Sequence, residues 1–101
     1  MAYEIYIAQP ARAELKETRV FDRRRIVDEI KTQLAHEPTV STRHRKCLGS
    51  ASPEFEHVLP VWELRVGDFR VFYDVDDDVN AVFVRAVRRK EPDQTTDEVI
   101  S

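Results

Sequence analysis

The sequence predicts an α+β fold of two layers, in which an N-terminal strand and a helical hairpin pack on an antiparallel β-meander. Three observations predict it. Apolar and polar residues alternate from Val61 to Val75 and again from Asn80 to Val87, with turn signals between. The apolar residues Ile26, Val27, Ile30 and Leu34 instead recur with the helical period. Residues 3–8 alternate once more and carry aromatic and β-branched side chains.

The elements follow in order. Tyr3 to Ala8 is a strand, and Pro10 opens a helix over residues 10–19, with Ala11 and Leu15 four apart on one face. Asp22 is the expected N-cap of a second helix, which Pro38 keeps from running beyond about His36. Residues 38–60 have no period and read as a long loop, with the basic run Arg43-His44-Arg45-Lys46 and a small polar stretch, Gly49 to Pro53. Gly67-Asp68 is a two-residue hairpin turn that pairs Val66 with Phe69, Leu64 with Val71 and Trp62 with Tyr73. The last strand places Val82, Val84 and Ala86 toward the helices. The whole chain, residues 1–101, reads as a single domain with a polar acidic tail at about 91–101, in which Thr96 to Ile100 can form one helical turn.

Composition narrows the class. Hydrophobic residues make up 42% and charged residues 35%, which suits a globular domain rather than a disordered chain or a membrane span. The first residues show no basic stretch followed by an apolar one, so no secretory leader is expected. One cysteine, Cys47, excludes an internal disulfide framework and suits a cytoplasmic setting. The net charge is −3, so a nucleic-acid reading has to rest on local patches. The bases are mostly arginine, the residue suited to bidentate phosphate or carboxylate contact.

The pleat sends Glu63, Arg65, Arg70 and Phe72 to the face away from the helices. Arg65 lies opposite Arg70, and a four-residue turn at Asp76–Val79 sets Arg85 on the other side of Arg70. Like charges directly opposite one another are destabilising, so this row points to an anion. The plain alternative is neutralisation by Glu63, Asp68 and Asp74 as surface ion pairs. Arg88, Arg89 and Lys90, with Arg43, Arg45 and Lys46, extend a positive rim. Phe72 and Phe83 on the same face either stack on bases or form an apolar patch that a partner covers. The acidic tail either stays free in solvent or folds back over the basic face as a screen.

Other chemistries lack their patterns. Cys47 with the histidines has no paired metal-ligand spacing and reads as a partly buried small residue. There is no glycine-rich phosphate loop and no nucleophile elbow. The aspartates at 74, 76, 77 and 78 lack the glycine and closing glutamate of a calcium loop. Trp62 reads as core. No metal and no cofactor are expected.

The string Trp62-Glu63-Leu64-Arg65-Val66-Gly67-Asp68-Phe69-Arg70-Val71-Phe72-Tyr73-Asp74-Val75, followed by a valine-rich strand ending in Arg88-Arg89-Lys90, resembles the RelE/ParE superfamily of bacterial type II toxins. The N-terminal strand, the hairpin and the loop ending in Arg45-Lys46-Cys47-Leu48 fit its layout, so the resemblance covers about residues 3–91. It implies a small cytoplasmic toxin neutralised by a cognate antitoxin protein. In the RelE branch, which the resemblance favours, it implies a metal-independent endoribonuclease that cuts ribosome-bound mRNA through the substrate's own 2′-hydroxyl. In the ParE branch it implies inhibition of DNA gyrase. A third expectation is a degenerate toxin that only binds its antitoxin. The resemblance places Arg70 on the scissile phosphate, with Arg65, Lys46 and Lys90 on basic positions around it. Where such enzymes carry lysines, this chain has Val61 and Glu63, and no Tyr or His follows Lys90. Glu63, His44 and His57 are the candidate bases that remain. The expected site is therefore Arg70, Arg65, Lys90 and Glu63 for catalysis, with Arg43, Arg45, Lys46, Arg85, Arg88, Arg89 and Phe72 for RNA.

Overall fold

The computed structural model describes residues 2–49 and 51–100, so Met1, Ser50 and Ser101, all part of the readings above, lie outside the described residues. The order of elements is β1 (Glu4–Ile7), α1 (Gln9–Glu17), α2 (Val20–Leu34), β2 (Arg45–Cys47), β3 (Trp62–Val66), β4 (Phe69–Asp76), β5 (Ala81–Arg89) and α3 (Thr96–Ile100). This is the expected α+β architecture, with one more strand and one short helix more firmly placed. The five strands run in the order β1-β5-β4-β3-β2. β1 joins the meander at its β5 edge, in parallel, with Ile5 beside Val82 and Ile7 beside Val84.

The β3–β4 register is the expected one: Trp62 faces Tyr73, Leu64 faces Val71 and Val66 faces Phe69. Gly67 closes this hairpin at φ +57°, a left-handed conformation that side-chain-bearing residues resist. The helices cover one sheet face. Ala11, Leu15, Ile26, Ile30 and Leu34 meet Trp62, Leu64, Val66, Val71, Tyr73, Val82, Val84 and Val87 in the main core. Trp62 stacks on Tyr73, and the buried Tyr73 hydroxyl donates to the Pro38 carbonyl at 2.6 Å. Burial raises the Tyr73 phenol well above its ordinary value.

Several expectations are corrected. Asp22 is not the N-cap of α2; it sits in the first turn and pairs with the preceding Arg19 at 3.7 Å. A first-turn carboxylate still complements the helix dipole, so the residue type is right and the position is shifted. The loop before β3 contains β2, whose Lys46 faces Glu63 and whose Cys47 faces Trp62. Cys47 is exposed at this sheet edge rather than partly buried.

The β4–β5 register also differs. The turn begins one residue later, with Asp76 facing Ala81, and a bulge opens where Phe72 pairs with Ala86 but Tyr73 pairs with Val84. Arg85 is the extra residue. Bulges re-aim the side chains next to them. As a result Val87 faces the helices, and Ala86 joins the opposite face.

That opposite face is not open. Val61, Phe72 and Ala86 form a second cluster, roofed by Val99 and Ile100 of α3 and by Leu48, Ala51 and Phe55. The tail therefore folds back as an apolar anchor, while its acidic residues Glu91, Asp93, Asp97 and Glu98 stay exposed. Among the described residues, no helix is long and apolar enough to cross a membrane.

Candidate functional site

The basic end of the second face is built around the β3–β4 hairpin. Arg65 and Arg70 face each other as expected, but Arg88 rather than Arg85 stands opposite Arg70 on β5. The row is Arg65, Arg70, Arg88, and the bulge is the reason. Displaced from it, Arg85 holds the buried Asp74 with Nε at 2.7 Å and a second contact at 3.2 Å, and lies over the Phe83 ring. Asp74 also accepts the Val58 amide at 3.0 Å, so this bidentate pair anchors the loop before β3.

The three arginines of the row differ in commitment. Arg65 is exposed and forms no ion pair among the described residues. Arg70 is only 8% exposed and donates to the Gly67 and Phe69 carbonyls at 2.8 and 2.9 Å. Its burial pulls the guanidinium below its ordinary basicity; Glu63 opposes this, Arg65 adds to it, and Asp68 opposes it. Arg88 reaches Glu14 at 3.2 Å and the Val99 carbonyl at 2.7 Å. The same Glu14 accepts the Val87 amide, closing the β5 edge that β1 is too short to cover. Glu63, 3% exposed, accepts the Thr96 hydroxyl at 3.2 Å.

Around this row the structure sorts the remaining expected residues. A hollow of about 70 Å³ is lined by residues 42–46 together with Glu63 and Arg65. Arg43, His44 and Lys46 are exposed there. Arg89 is shared between Asp68 at 3.9 Å and Glu91 at 3.6 Å. Lys90 follows β5, with its backbone amide on the Asp68 carbonyl at 2.7 Å. Two expected RNA contacts are placed elsewhere. Phe72 is fully buried under α3 and Phe55, so its ring has no face to offer a base. Arg45 is 8% exposed and donates to the carbonyls of Gln33, His36 and Val40, which caps the C-terminal end of α2. Arg23 does the same for α1, donating to the Leu15, Lys16 and Thr18 carbonyls at 2.8, 2.9 and 3.0 Å. His57 donates Nδ1–H to the Phe55 carbonyl at 2.7 Å and lies edge-on to that ring, which in turn lies under the Arg88 guanidinium.

A charged clasp of this kind gives a direct prediction. Arg45→Met keeps the aliphatic stem but leaves the α2 carbonyls without a partner. It should destabilise the fold by about 1–3 kcal/mol and lower the melting temperature, while changing RNA binding less than twofold. A strong loss of RNA binding at unchanged stability would show that the guanidinium leaves its helix cap for phosphate.

Sequence reasoning missed Glu14, Arg23 and the helix-capping role of Arg45. A glutamate on a helix and an arginine in a basic run carry no local mark of a partner distant in the chain. Among the described residues, no three His, Cys, Asp or Glu side chains are placed to hold a metal ion.

A helical hairpin covers one face of the five-stranded sheet, and the arginine row stands at one end of the opposite face, beside the α3 roof. Solved structures of RelE-type toxins share this fold. The RelBE2 toxin–antitoxin complex of Mycobacterium tuberculosis contains a chain that superposes with a TM-score of 0.70 at 22% identity, covering 89% of this chain and 93% of that one. The archaeal RelE–RelB complex of Pyrococcus horikoshii gives 0.69 at 20% identity, covering 91% and 99%. The isolated RelE toxin of E. coli gives 0.60 at 18% identity, covering 96% and 94%. No curated protein matches the sequence. The profile of the family described as "ParE toxin of type II toxin-antitoxin system, parDE" matches residues 5–93, and the chain belongs to that family.

Proposed function

We propose that this toxin is a metal-independent endoribonuclease that acts in the cytoplasm on ribosome-bound mRNA and is neutralised by a cognate antitoxin. The carrying observation is one hollow that gathers His44, Lys46, Glu63 and Arg65, with Arg70 the cross-strand neighbour of Arg65. The solved relatives include toxins in complex with antitoxins, which supports the partner.

The chemistry needs no group from outside the RNA and the protein. The 2′-oxygen attacks the adjacent phosphorus, and the bond from phosphorus to the 5′-oxygen breaks. The products are a 2′,3′-cyclic phosphate and a free 5′-hydroxyl. Arg70 and Arg65 bind the phosphate oxygens and stabilise the extra charge of the pentacoordinate state. His44, exposed at the rim, accepts the 2′-hydroxyl proton, and Lys46 or water returns one to the leaving oxygen. Glu63 steadies Arg70 by its charge. Arg89, the last residue of β5, and Lys90, the next one, add positive field on the side of the turn. In-line positioning and charge stabilisation then carry most of the rate.

A second reading, inhibition of a protein target such as DNA gyrase, is favoured by the ParE family match and by the roof over Phe72, which removes the expected stacking ring. Induced expression with mRNA 5′-end mapping separates the two. New ends with a defined position within codons are the expected result. Growth arrest without new ends, together with loss of supercoiling activity in extracts, would move the function to gyrase.

A further inference from the structure

We propose that the groove between α2 and the β3–β4 turn is a second phosphodiester subsite, which holds the RNA strand after it leaves Arg70. The proposal rests on the RNA reading above and extends it to Arg25, Glu29 and Gln33 of α2, none of them an expected site residue. The groove has a volume of about 250 Å³; Arg25, Glu29, Gln33, His44, Arg65 and Gly67 are among the residues that line it. His44 and Arg65 also line the smaller hollow on the sheet face, so the two depressions share these two side chains.

The groove gathers two arginines that no carboxylate engages among the described residues. Arg19, Arg85, Arg88 and Arg89 all have a carboxylate partner. Arg25 and Arg65 are exposed, and neither has one among the described residues. Two open guanidiniums and an imidazole thus share one concavity with a single carboxylate, Glu29. Paired forks of this kind suit a phosphodiester, and the Gln33 amide and the His44 ring offer hydrogen bonds to a ribose hydroxyl or a base edge.

Gly67 ties the two subsites together. Arg70 donates to its carbonyl at 2.8 Å from the sheet face. From the α2 side, Nη1 of Arg25 lies 2.7 Å from where a Cβ at residue 67 would stand. The absence of a side chain therefore lets Arg25 lie against the turn. A strand crossing this turn meets Arg70, Arg65 and Arg25 in succession.

The test uses the full chain, with fluorescence anisotropy of a labelled tetranucleotide and a labelled dodecanucleotide RNA over a range of salt concentrations. Arg25→Glu should weaken the dodecanucleotide about tenfold, and Arg25→Gln several-fold, with the salt slope falling by about 0.7 per lost contact. Arg25→Lys should keep the slope. The tetranucleotide, too short to span both subsites, should change less than twofold in all three, whereas Arg70→Ala should weaken both probes. An unchanged dodecanucleotide affinity in Arg25→Glu, with Arg70→Ala still impaired, overturns the groove and leaves the Arg70 site standing. So does a loss confined to capture of an acidic partner peptide, which would make the groove a protein contact. No salt-dependent binding by the wild type, or no effect of Arg70→Ala, overturns the Arg70 reading and the groove with it.

Discussion

Arg70→Ala is expected to abolish growth arrest and to lower RNA cleavage about 10²–10³-fold, the usual cost of removing one preorganised transition-state donor. The same substitution should shift stability by no more than about 1–2 kcal/mol, because the effects on the fold oppose one another. Removal loses two charged hydrogen bonds, to the Gly67 and Phe69 carbonyls. It also relieves burial of a charge between Arg65 and Arg88, a like-charge arrangement worth a few tenths of a kcal/mol to about 1 per pair. On the proposed RNase reading, a guanidinium kept at 8% exposure beside two others serves the chemistry more than the fold. Arg70→Lys should recover a small part of the activity, since an ammonium keeps the charge but loses the planar fork. The measurements are cleavage of a reporter mRNA in a purified translation system and thermal unfolding of the same preparations. Full activity in Arg70→Ala would end the endoribonuclease assignment. Loss of activity with a collapsed melting curve would instead make Arg70 a structural residue.

The largest effect on stability is expected from the double substitution Val99→Ser, Ile100→Ser. Both side chains are almost fully buried and, with Phe55, roof Val61, Phe72 and Ala86. Burying an aliphatic side chain of this size contributes about 1.5–3 kcal/mol, so the pair contributes on the order of 3–6 kcal/mol. Domains of this length are stable by only about 5–15 kcal/mol, so the loss is a large fraction of the total. The melting temperature should fall by about 15 °C or more, and dye binding to apolar surface should rise as Phe72 is uncovered. The Arg88 bond to the Val99 carbonyl would go with the helix, freeing that side of the row. Substituting the exposed acids Asp93 and Glu98 with Ser should by contrast change the melting temperature by less than about 3 °C. A double variant that melts with the wild type would show that α3 does not hold this face closed in solution.

What could be read from the residues, and what could not, divides along the range of the interactions. The β3–β4 hairpin was legible because a two-residue turn at Gly67-Asp68 fixes its register locally, and with it the Arg65–Arg70 pair. The core face of α2 was legible because its period is its own. By itself, the sequence determined the α+β class, the hairpin, the helical face and the central pair of arginines.

The third member of the row was decided by the tertiary structure. One extra residue in β5 exchanges Arg85 for Arg88, and a bulge leaves no mark in an alternating pattern. β2 was equally hidden: three residues without alternation become a strand only because the edge of β3 supplies partners. Arg45 belongs to a basic run by sequence, yet the open carbonyls at the end of α2 draw its guanidinium inward. The tail reads as polar, and two apolar residues are too few to show a period. The uncovered cluster around Phe72 buries them all the same. Periods and turns are local properties and can be read along the chain. Bulges, edges, caps and roofs arise when distant segments satisfy one another's unpaired groups and uncovered apolar surface, and only the folded chain brings those segments together.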